Sequence, residues 1–192
     1  MKLIIIEGPD NCGKDSLIQR LSENFLTVTN IHYTKPENKY IQNTIFRGYA
    51  YAIVNKVYDT DAIILNRSHY GEYVYGCLYR GVSDKDALDI INEIDDIYLK
   101  YDIDVYYIQL LSTSETLLLK NEDNKSLSKG NINAIGAEVR RFEEIFNKSK
   151  LNKKLIYIND GDKFRNKEDI YQDAFDFIYN KKEKKYLTNN IC

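Results

Sequence analysis

Gly8-Pro9-Asp10-Asn11-Cys12-Gly13-Lys14 decides the reading of this chain. The segment keeps the spacing Gly-x4-Gly-Lys. It comes straight after the apolar, β-branched run Leu3 to Ile6 and opens a helical pattern over Lys14 to Phe25, with Leu17, Ile18 and Leu21 on one face. Strand, glycine-bearing turn, lysine and helix in that order separate a phosphate cradle from a chance match. Glycines let the backbone fold so that several N–H groups face one oxyanion. The helix opening at Lys14 adds the positive end of its dipole, and Lys14 can neutralise charge on transferring phosphates. Gly8, Asn11, Cys12, Gly13, Lys14, Asp15 and Ser16 are therefore the expected phosphate-binding set. The plain alternative is a glycine-bearing β–α turn with a surface lysine.

The cradle departs from its pattern at one place. Ser or Thr is expected after the lysine, to hold Mg²⁺, and here Asp15 stands there, followed by Ser16. Ser16, with its hydroxyl one place later, is the preferred metal ligand. The Asp15 carboxylate is the alternative, chemically a good hard-oxygen donor. Weak metal binding and a slow enzyme is a third outcome. Cys12 reads as a filler, although the dipole and Lys14 would lower its pKa.

Beyond the cradle, short apolar or β-branched runs alternate with helical patterns. Thr27 to Tyr33, Asp61 to Leu65, Asp104 to Leu111 and Leu155 to Ile158 read as strands. Helices are expected over Tyr40 to Tyr58, after the capping box Ser83-Asp84-Lys85-Asp86, from Ser114, along Ile132 to Phe146, and over Lys167 to Lys181, with a turn at Asp160 to Asp162. This alternation predicts an α/β, three-layer fold: a five-stranded parallel sheet with helices on both faces. One domain over 1–192 is expected, with a lid near 120–131 and a frayed tail from 182.

Composition bounds the function. The 192 residues are 43% hydrophobic and 29% charged, the balance of a globular domain. A net charge of −2 gives no global field for a nucleic acid polymer or an acidic membrane. The apolar run at the N-terminus breaks at Glu7, too short for a secretory core. The three scattered cysteines lack metal-ligand spacing and fit a reducing, cytoplasmic setting. His32 and His69 have no partner at useful spacing for a metal site or a triad, although His69 follows Arg67 closely enough to face a substrate.

Glu7-Gly8-Pro9-Asp10-Asn11-Cys12-Gly13-Lys14-Asp15-Ser16 resembles the Glu-Gly-x-Asp-x-x-Gly-Lys-Ser-Thr loop of thymidylate kinases. Leu65-Asn66-Arg67-Ser68 follows the third strand where that family has Asp-Arg-Tyr. Gly71 to Gly76 and Leu78-Tyr79-Arg80-Gly81 resemble the small thymidylate-kinase-like proteins of bacterial viruses. The resemblance implies a nucleoside monophosphate kinase using ATP and Mg²⁺ in a cytoplasm (the host's, if virus-encoded), and a homodimer formed through long helices such as 40–58. Asp10 would accept a hydrogen bond from the acceptor sugar, and Arg67 would clasp the acceptor phosphate. The residue chemistry agrees on Arg67, a planar fork at the carboxyl end of a central strand. Asn66 replaces the family's Asp, keeping an oxygen and losing a charge. Asp10, Asp15 or Glu7 is then needed to supply a carboxylate.

Lys35, in Tyr33-Thr34-Lys35-Pro36-Glu37, is expected to line the acceptor pocket, and Tyr70, Tyr73, Tyr75 and Tyr79 to stack a base. With 17 tyrosines in the chain, core packing explains any one of them equally well. Arg80 and Arg47 are further phosphate candidates. The lid contains no arginine, so its positive charge would come from Lys125, Lys129, Arg140 or Arg141. The adenine edge is expected near Asn159 to Gly161.

Three functions fit these residues. The first is phosphoryl transfer to a deoxynucleoside monophosphate, with dTMP leading. The second is a deoxynucleoside kinase, whose Glu-Arg-Ser resembles Arg67-Ser68 equally well and which needs a carboxylate base, with Glu37 nearest. The third is a regulatory nucleotide-binding protein with little catalysis, which Asp15, Asn66 and the arginine-free lid favour.

Overall fold

Every residue of β1 (Lys2–Glu7) after Lys2 is buried, as a strand covered on both faces must be. Leu3 and Ile5 join one apolar cluster and Ile4 and Ile6 another, because successive side chains leave a strand on opposite sides. The computed structural model describes residues 1–33, 39–120 and 126–179. Around β1 it arranges β2 (Val28–His32), β3 (Ala62–Asn66), β4 (Asp104–Leu111) and β5 (Lys153–Tyr157) in one parallel sheet of order β2-β3-β1-β4-β5.

Helices cover both faces. α1 (Lys14–Ser22) and α7 (Lys167–Tyr179) pack on Ile4 and Ile6, with Leu17, Leu21, Ala174 and Ile178 buried against the sheet. α2 (Lys39–Val54), α4 (Asp84–Lys100) and α6 (Ile132–Lys148) bury Phe46, Ile94 and Phe142 on the side of Leu3 and Ile5. α5 (Glu115–Lys120) lies before α6. The expected three-layer α/β fold is the one observed. Among the described residues no helix is long and apolar enough to cross a membrane.

Local signals worked where side chain meets backbone. Ser83 Oγ accepts the Asp86 amide at 3.1 Å to open α4. Asn131 caps α6 in the same way, accepting from the amides of Asn133 and Ala134, a cap the sequence reading did not use. Two details differ from expectation. After β3 the chain forms a π-helical turn, Glu72–Gly76, that runs into the short α3 (Cys77–Tyr79). Gly76 admits it, since a Cβ there would lie 2.4 Å from Glu72 Oε1. After β5 the expected turn joins a small hairpin, β6 (Asn159–Asp160) with β7 (Lys163–Phe164), and Gly161 takes φ 56°. Lys35, Glu37, Lys125 and the tail from 182 lie outside the described residues.

The topology fixes where a ligand would enter. From β1 the chain crosses to β2 on one side, and from β3 to β4 on the other. The reversal leaves a crevice at the carboxyl ends of β1 and β3. Ile6 pairs with Asn66 there, and the Arg67 amide donates to Ile6 O at 3.1 Å.

Candidate active site

The loop from β1 to α1 can take its shape only with glycine at its first position. Gly8 has φ 147°, and a Cβ there would lie 2.4 Å from Leu110 O and 2.8 Å from Cys12 Sγ. Gly13, at φ 85°, precedes α1 with no side-chain cap. The first amides of a helix have no partner within it, so this N-terminus presents donors of the kind that suit an anion. Lys14 is buried, its ammonium donating to Gly8 O (2.9 Å) and Pro9 O (2.6 Å).

A cavity of about 430 Å³ opens above this loop, lined by Asp10, Lys14, Asp15, Ser16, Asn66 and Arg67 among others. Asn11 and Gly13 also border it; Gly8 and Cys12 do not, and Cys12 instead lines an adjoining cavity between α1 and α7. The cradle and the end of β3 thus face one space. The two departures from the expected pattern meet in it: Asn66 Nδ2 donates to Asp15 Oδ1 at 2.6 Å. A carboxylate can only accept, so the amide nitrogen of Asn66 is the atom that meets Asp15, and its Oδ1 takes no part in that bond. That oxygen is buried without a hydrogen-bond partner.

Arg67 adopts φ 66°, a left-handed conformation that costs a non-glycine residue about 1 kcal/mol or more. Its neighbours hold it there. Glu7, fully buried, accepts from the amide (2.6 Å) and hydroxyl (2.8 Å) of Ser68. Burial pushes the Glu7 carboxyl up, with Ser68 opposing. Glu7 is therefore a brace between strand ends, and it does not line the cavity as the missing carboxylate. The Arg67 guanidinium pairs with Asp10 and lies 5.5 Å from the Tyr75 ring centroid. Burial opposes its charge, but Tyr75 and Asp10 outweigh this and hold its pKa above the ordinary arginine value. Arg67 Nε and the Tyr75 hydroxyl are both buried without hydrogen-bond partners among the described residues.

The structure moves other expected site residues elsewhere. Tyr70 is fully buried, stacked on Tyr107 and bonded to Asp95 and Ser149, so no base can reach its face. His69 is buried against Asp95 at 3.1 Å and does not face the cavity. Tyr73 and Tyr79 spend their hydroxyls on Glu144 and Glu138. Arg80 is drawn onto Glu72 at 2.5 Å, and Arg47 is held by both carboxylate oxygens of Glu93. Arg141 donates to Tyr73 O and Asp84 and covers the Tyr73 ring, so it packs α6 rather than reaching the phosphates. Arg140 is exposed on α6, its Nη1 near Gly136, and it does not line the cavity. For Arg47, Arg80 and Arg141 a carboxylate or carbonyl is the partner the cation takes. Cys12 has its pKa raised by burial, which outweighs Lys14. Asn159 bonds Thr113 and Gly161, and neither it nor its neighbours line a cavity beside the loop.

Four residues were missed. Lys167, at the start of α7, lines the cavity and donates to Ser16 Oγ at 3.5 Å. Ser126 enters from the segment expected to be the lid. His32, at the end of β2, also lines the cavity, its pKa lowered by partial burial and by Arg67 and Lys14. Glu138, on α6, is buried and raised to about 7, mainly by burial, with Asp10, Lys14 and Arg67 close enough to act on it. Only His32 carried a sequence signal, as a polar residue ending a strand. The others depend on how α6, α7 and the preceding loop fold back.

A second cavity of about 350 Å³ lies between α1 and α7 and shares Gly13, Ser16 and Lys167 with the first. Leu17, Ile170 and Tyr171 give it apolar walls, and the Arg20 guanidinium stacks 4.5 Å from the Tyr171 centroid. Among the described residues no group of three or more His, Cys, Asp or Glu side chains is placed to cage a metal.

In sequence, the chain matches no protein-family model and no curated protein. In fold it is similar to solved structures. One is YorR from Bacillus subtilis in complex with phosphorylated GDP (TM-score 0.58, 18% identity, 81% of this chain and 85% of that one). Another is thymidylate kinase from Candida albicans (TM-score 0.62, 16% identity, 94% and 92%). A third is polyphosphate kinase 2 from Arthrobacter aurescens TC1 (TM-score 0.64, 11% identity, 92% and 65%). The chain thus spans nearly the whole length of the thymidylate kinase and about two thirds of the polyphosphate kinase. At these identities the likeness shows the fold alone, one that the thymidylate kinase and the polyphosphate kinase share.

Proposed function

We propose that this protein is an ATP-dependent nucleotide kinase that phosphorylates a deoxynucleoside monophosphate, with dTMP the leading acceptor. The observation that carries the reading is the single cavity into which the Gly8–Lys14 loop, the start of α1 and Arg67 all face. Unpaired helix amides and Lys14 suit the triphosphate. Arg67, with an Nε lacking any partner, suits the second phosphate across the space. The adjoining apolar cavity beneath Tyr171 and Arg20 suits the donor's base, and shared residues join base and phosphate sites into one trough.

Phosphoryl transfer here asks the protein for position and positive charge rather than covalent chemistry. Lys14 would leave the loop carbonyls for the phosphates, and Arg67 would exchange Asp10 for the acceptor phosphate, freeing Asp10 for the acceptor sugar. Lys167 and Lys14 would hold the donor end. A bound Mg²⁺ would supply positive charge against the phosphates. Its neighbours in this chain would be Asp15, Ser16 and Asn66, whose buried Oδ1 has no hydrogen-bond partner among the described residues.

One observation favours a second reading, nucleotide binding with little turnover: Arg140 and Arg141 stay off the cavity. The likeness to thymidylate kinase supports the first reading at the level of fold. An acceptor panel of deoxy- and ribonucleoside monophosphates and nucleosides with ATP, followed by ADP release, tests both. Turnover of a monophosphate that is lost in Lys14→Met sustains the kinase. Nucleotide binding without turnover of any acceptor overturns it in favour of the second.

A further inference from the structure

Asp15 is an anomaly in an anion cradle. A carboxylate in the first turn of α1 gains from the helix dipole, yet it would face the same triphosphate that the loop's amides attract. Without a cation between them, the two negative groups repel. Asn66 sharpens the anomaly, because it lines the cavity and its amide donates to Asp15 at 2.6 Å, while its own Oδ1 is buried just beside that bond and has no hydrogen-bond partner among the described residues. Resting on the kinase reading, we propose that Asp15 and Asn66 form an exchanged pair that holds the divalent cation of the bound nucleotide. The charge expected at the end of β3 has moved to the second residue of α1, and the neutral oxygen expected on α1 has moved to β3.

The chemistry supports this assignment over Ser16. Asp15 Oδ2 and Asn66 Oδ1 are hard oxygens of the type that Mg²⁺ accepts alongside phosphate and water. One carboxylate and one amide need no dedicated cage, which agrees with the absence of a larger acidic group among the described residues. Ser16 instead has the Lys167 ammonium against its hydroxyl, and a cation there disfavours a second one. Asn66 acts as ligand and positioning residue together, because its donated bond fixes the Asp15 rotamer. Lys14, Arg67, His32 and Lys167 are the basic groups lining the cavity and Asp10 the remaining acid. With Arg67 drawn to Asp10, Asp15 is left as the acid available to a metal.

Mn²⁺ titrations of the full chain with ATP, followed by electron paramagnetic resonance of free Mn²⁺, test this directly. A fluorescent ATP analogue in EDTA reads nucleotide binding separately. Asp15→Asn is expected to weaken Mn²⁺ held with ATP by about 10- to 100-fold, while metal-free nucleotide binds as well or better because a repelling charge is gone. Asn66→Leu is expected to weaken Mn²⁺ by about tenfold, and the exchange Asp15→Asn with Asn66→Asp to recover most of the affinity. Ser16→Ala should change Mn²⁺ binding by less than about twofold if its hydroxyl is not a ligand. The exchanged variant keeps the hydrogen-bonded pair, so its recovery separates metal binding from misfolding. If Ser16→Ala weakens Mn²⁺ as much as Asp15→Asn, or the exchange fails to recover it while ATP still binds, the pair is not the metal site and the kinase reading stands. If wild-type protein binds no nucleotide with or without Mn²⁺, both fall.

Discussion

Tyr70 lies flat on Tyr107, ring centroids 4.2 Å apart and planes 6° from parallel. The Tyr70 hydroxyl donates to Asp95 at 2.6 Å and meets Ser149 at 2.6 Å. Asp95 also takes His69 at 3.1 Å and the Lys150 amide at 3.1 Å. One buried carboxylate thereby joins α4, the turn after α6 and the segment that carries Arg67. Burial works against its charge, but hydrogen bonds from His69 and Tyr70 hold its pKa below the ordinary value.

Asp95→Ala would leave several buried donors without an acceptor, at a cost of about 3–5 kcal/mol. Urea unfolding should show a large drop in midpoint, with Asp95→Asn, which keeps one acceptor oxygen, falling clearly less. Because the folded pKa is depressed, the Asp95 contribution is present above the unfolded aspartate value and fades as pH falls through the folded one. A midpoint unchanged in Asp95→Ala would show that the network contributes nothing.

Two glycines separate geometry from propensity. Gly8→Ala places a Cβ 2.4 Å from Leu110 O at φ 147°, and strain with overpacking should cost about 2 kcal/mol or more and disrupt nucleotide binding. Gly48 lies within α2 with nothing within 4 Å of a built Cβ. Gly48→Ala should therefore stabilise the protein by about 0.5–1 kcal/mol. A rise in the melting temperature of Gly8→Ala, or a fall in that of Gly48→Ala, would contradict the corresponding argument.

Glu138 gives the fold a pH dependence of unusual sign. Burial raises its carboxyl to about 7, and Tyr79 donates to it. The folded state holds a proton that the unfolded chain releases near the ordinary glutamate value. Its stabilising contribution is full below that value and is lost as pH rises through about 7. Urea midpoints for wild type, compared at pH 5 and pH 8, should fall by more than those of Glu138→Gln. Stability at pH 8 should be higher in the variant, by roughly 1–3 kcal/mol. Equal slopes in the two proteins would place the proton elsewhere.

Arg67 and Asp10 should separate in steady-state kinetics. Arg67→Lys keeps charge but loses the planar fork, so the acceptor KM should rise by about tenfold or more while the ATP KM holds. Asp10→Asn releases the guanidinium from its pair and should affect the acceptor's sugar more than its phosphate, read by comparing 3′-hydroxyl and 3′-deoxy monophosphates. A rise confined to the ATP KM in Arg67→Lys would assign that side chain to the donor.

Much of this architecture was legible along the chain because its causes are local. The cradle needs only a strand, glycines at two positions and a helix start within a dozen residues, so Gly8, Gly13 and Lys14 announced it. Ser83 announced α4 for the same reason, since a cap and the amide it serves lie three residues apart. The π-helical turn over Glu72–Gly76 gave no such notice. It depends on the Glu72 carboxylate lying over a bare Gly76 and meeting Arg80, a packing choice that no propensity encodes.

The tyrosines and arginines divide along the same line. Residue type says that a guanidinium will find a carboxylate, an anion or an aromatic face. It does not say that Arg47 finds Glu93, that Arg141 finds Asp84, or that Arg67 remains at the cavity with Asp10. Those choices follow from which helices the sheet brings together, with partners dozens of residues apart in sequence. The sequence by itself determined the alternating α/β order and the glycine-bearing loop between β1 and α1, because hydrophobic period and glycine freedom act over one or two turns of chain. Only the tertiary structure decided which polar groups share the crevice, including the contact of Asp15 with Asn66 across 51 residues, because burial and pairing of charge depend on distances that exist only after the sheet has formed.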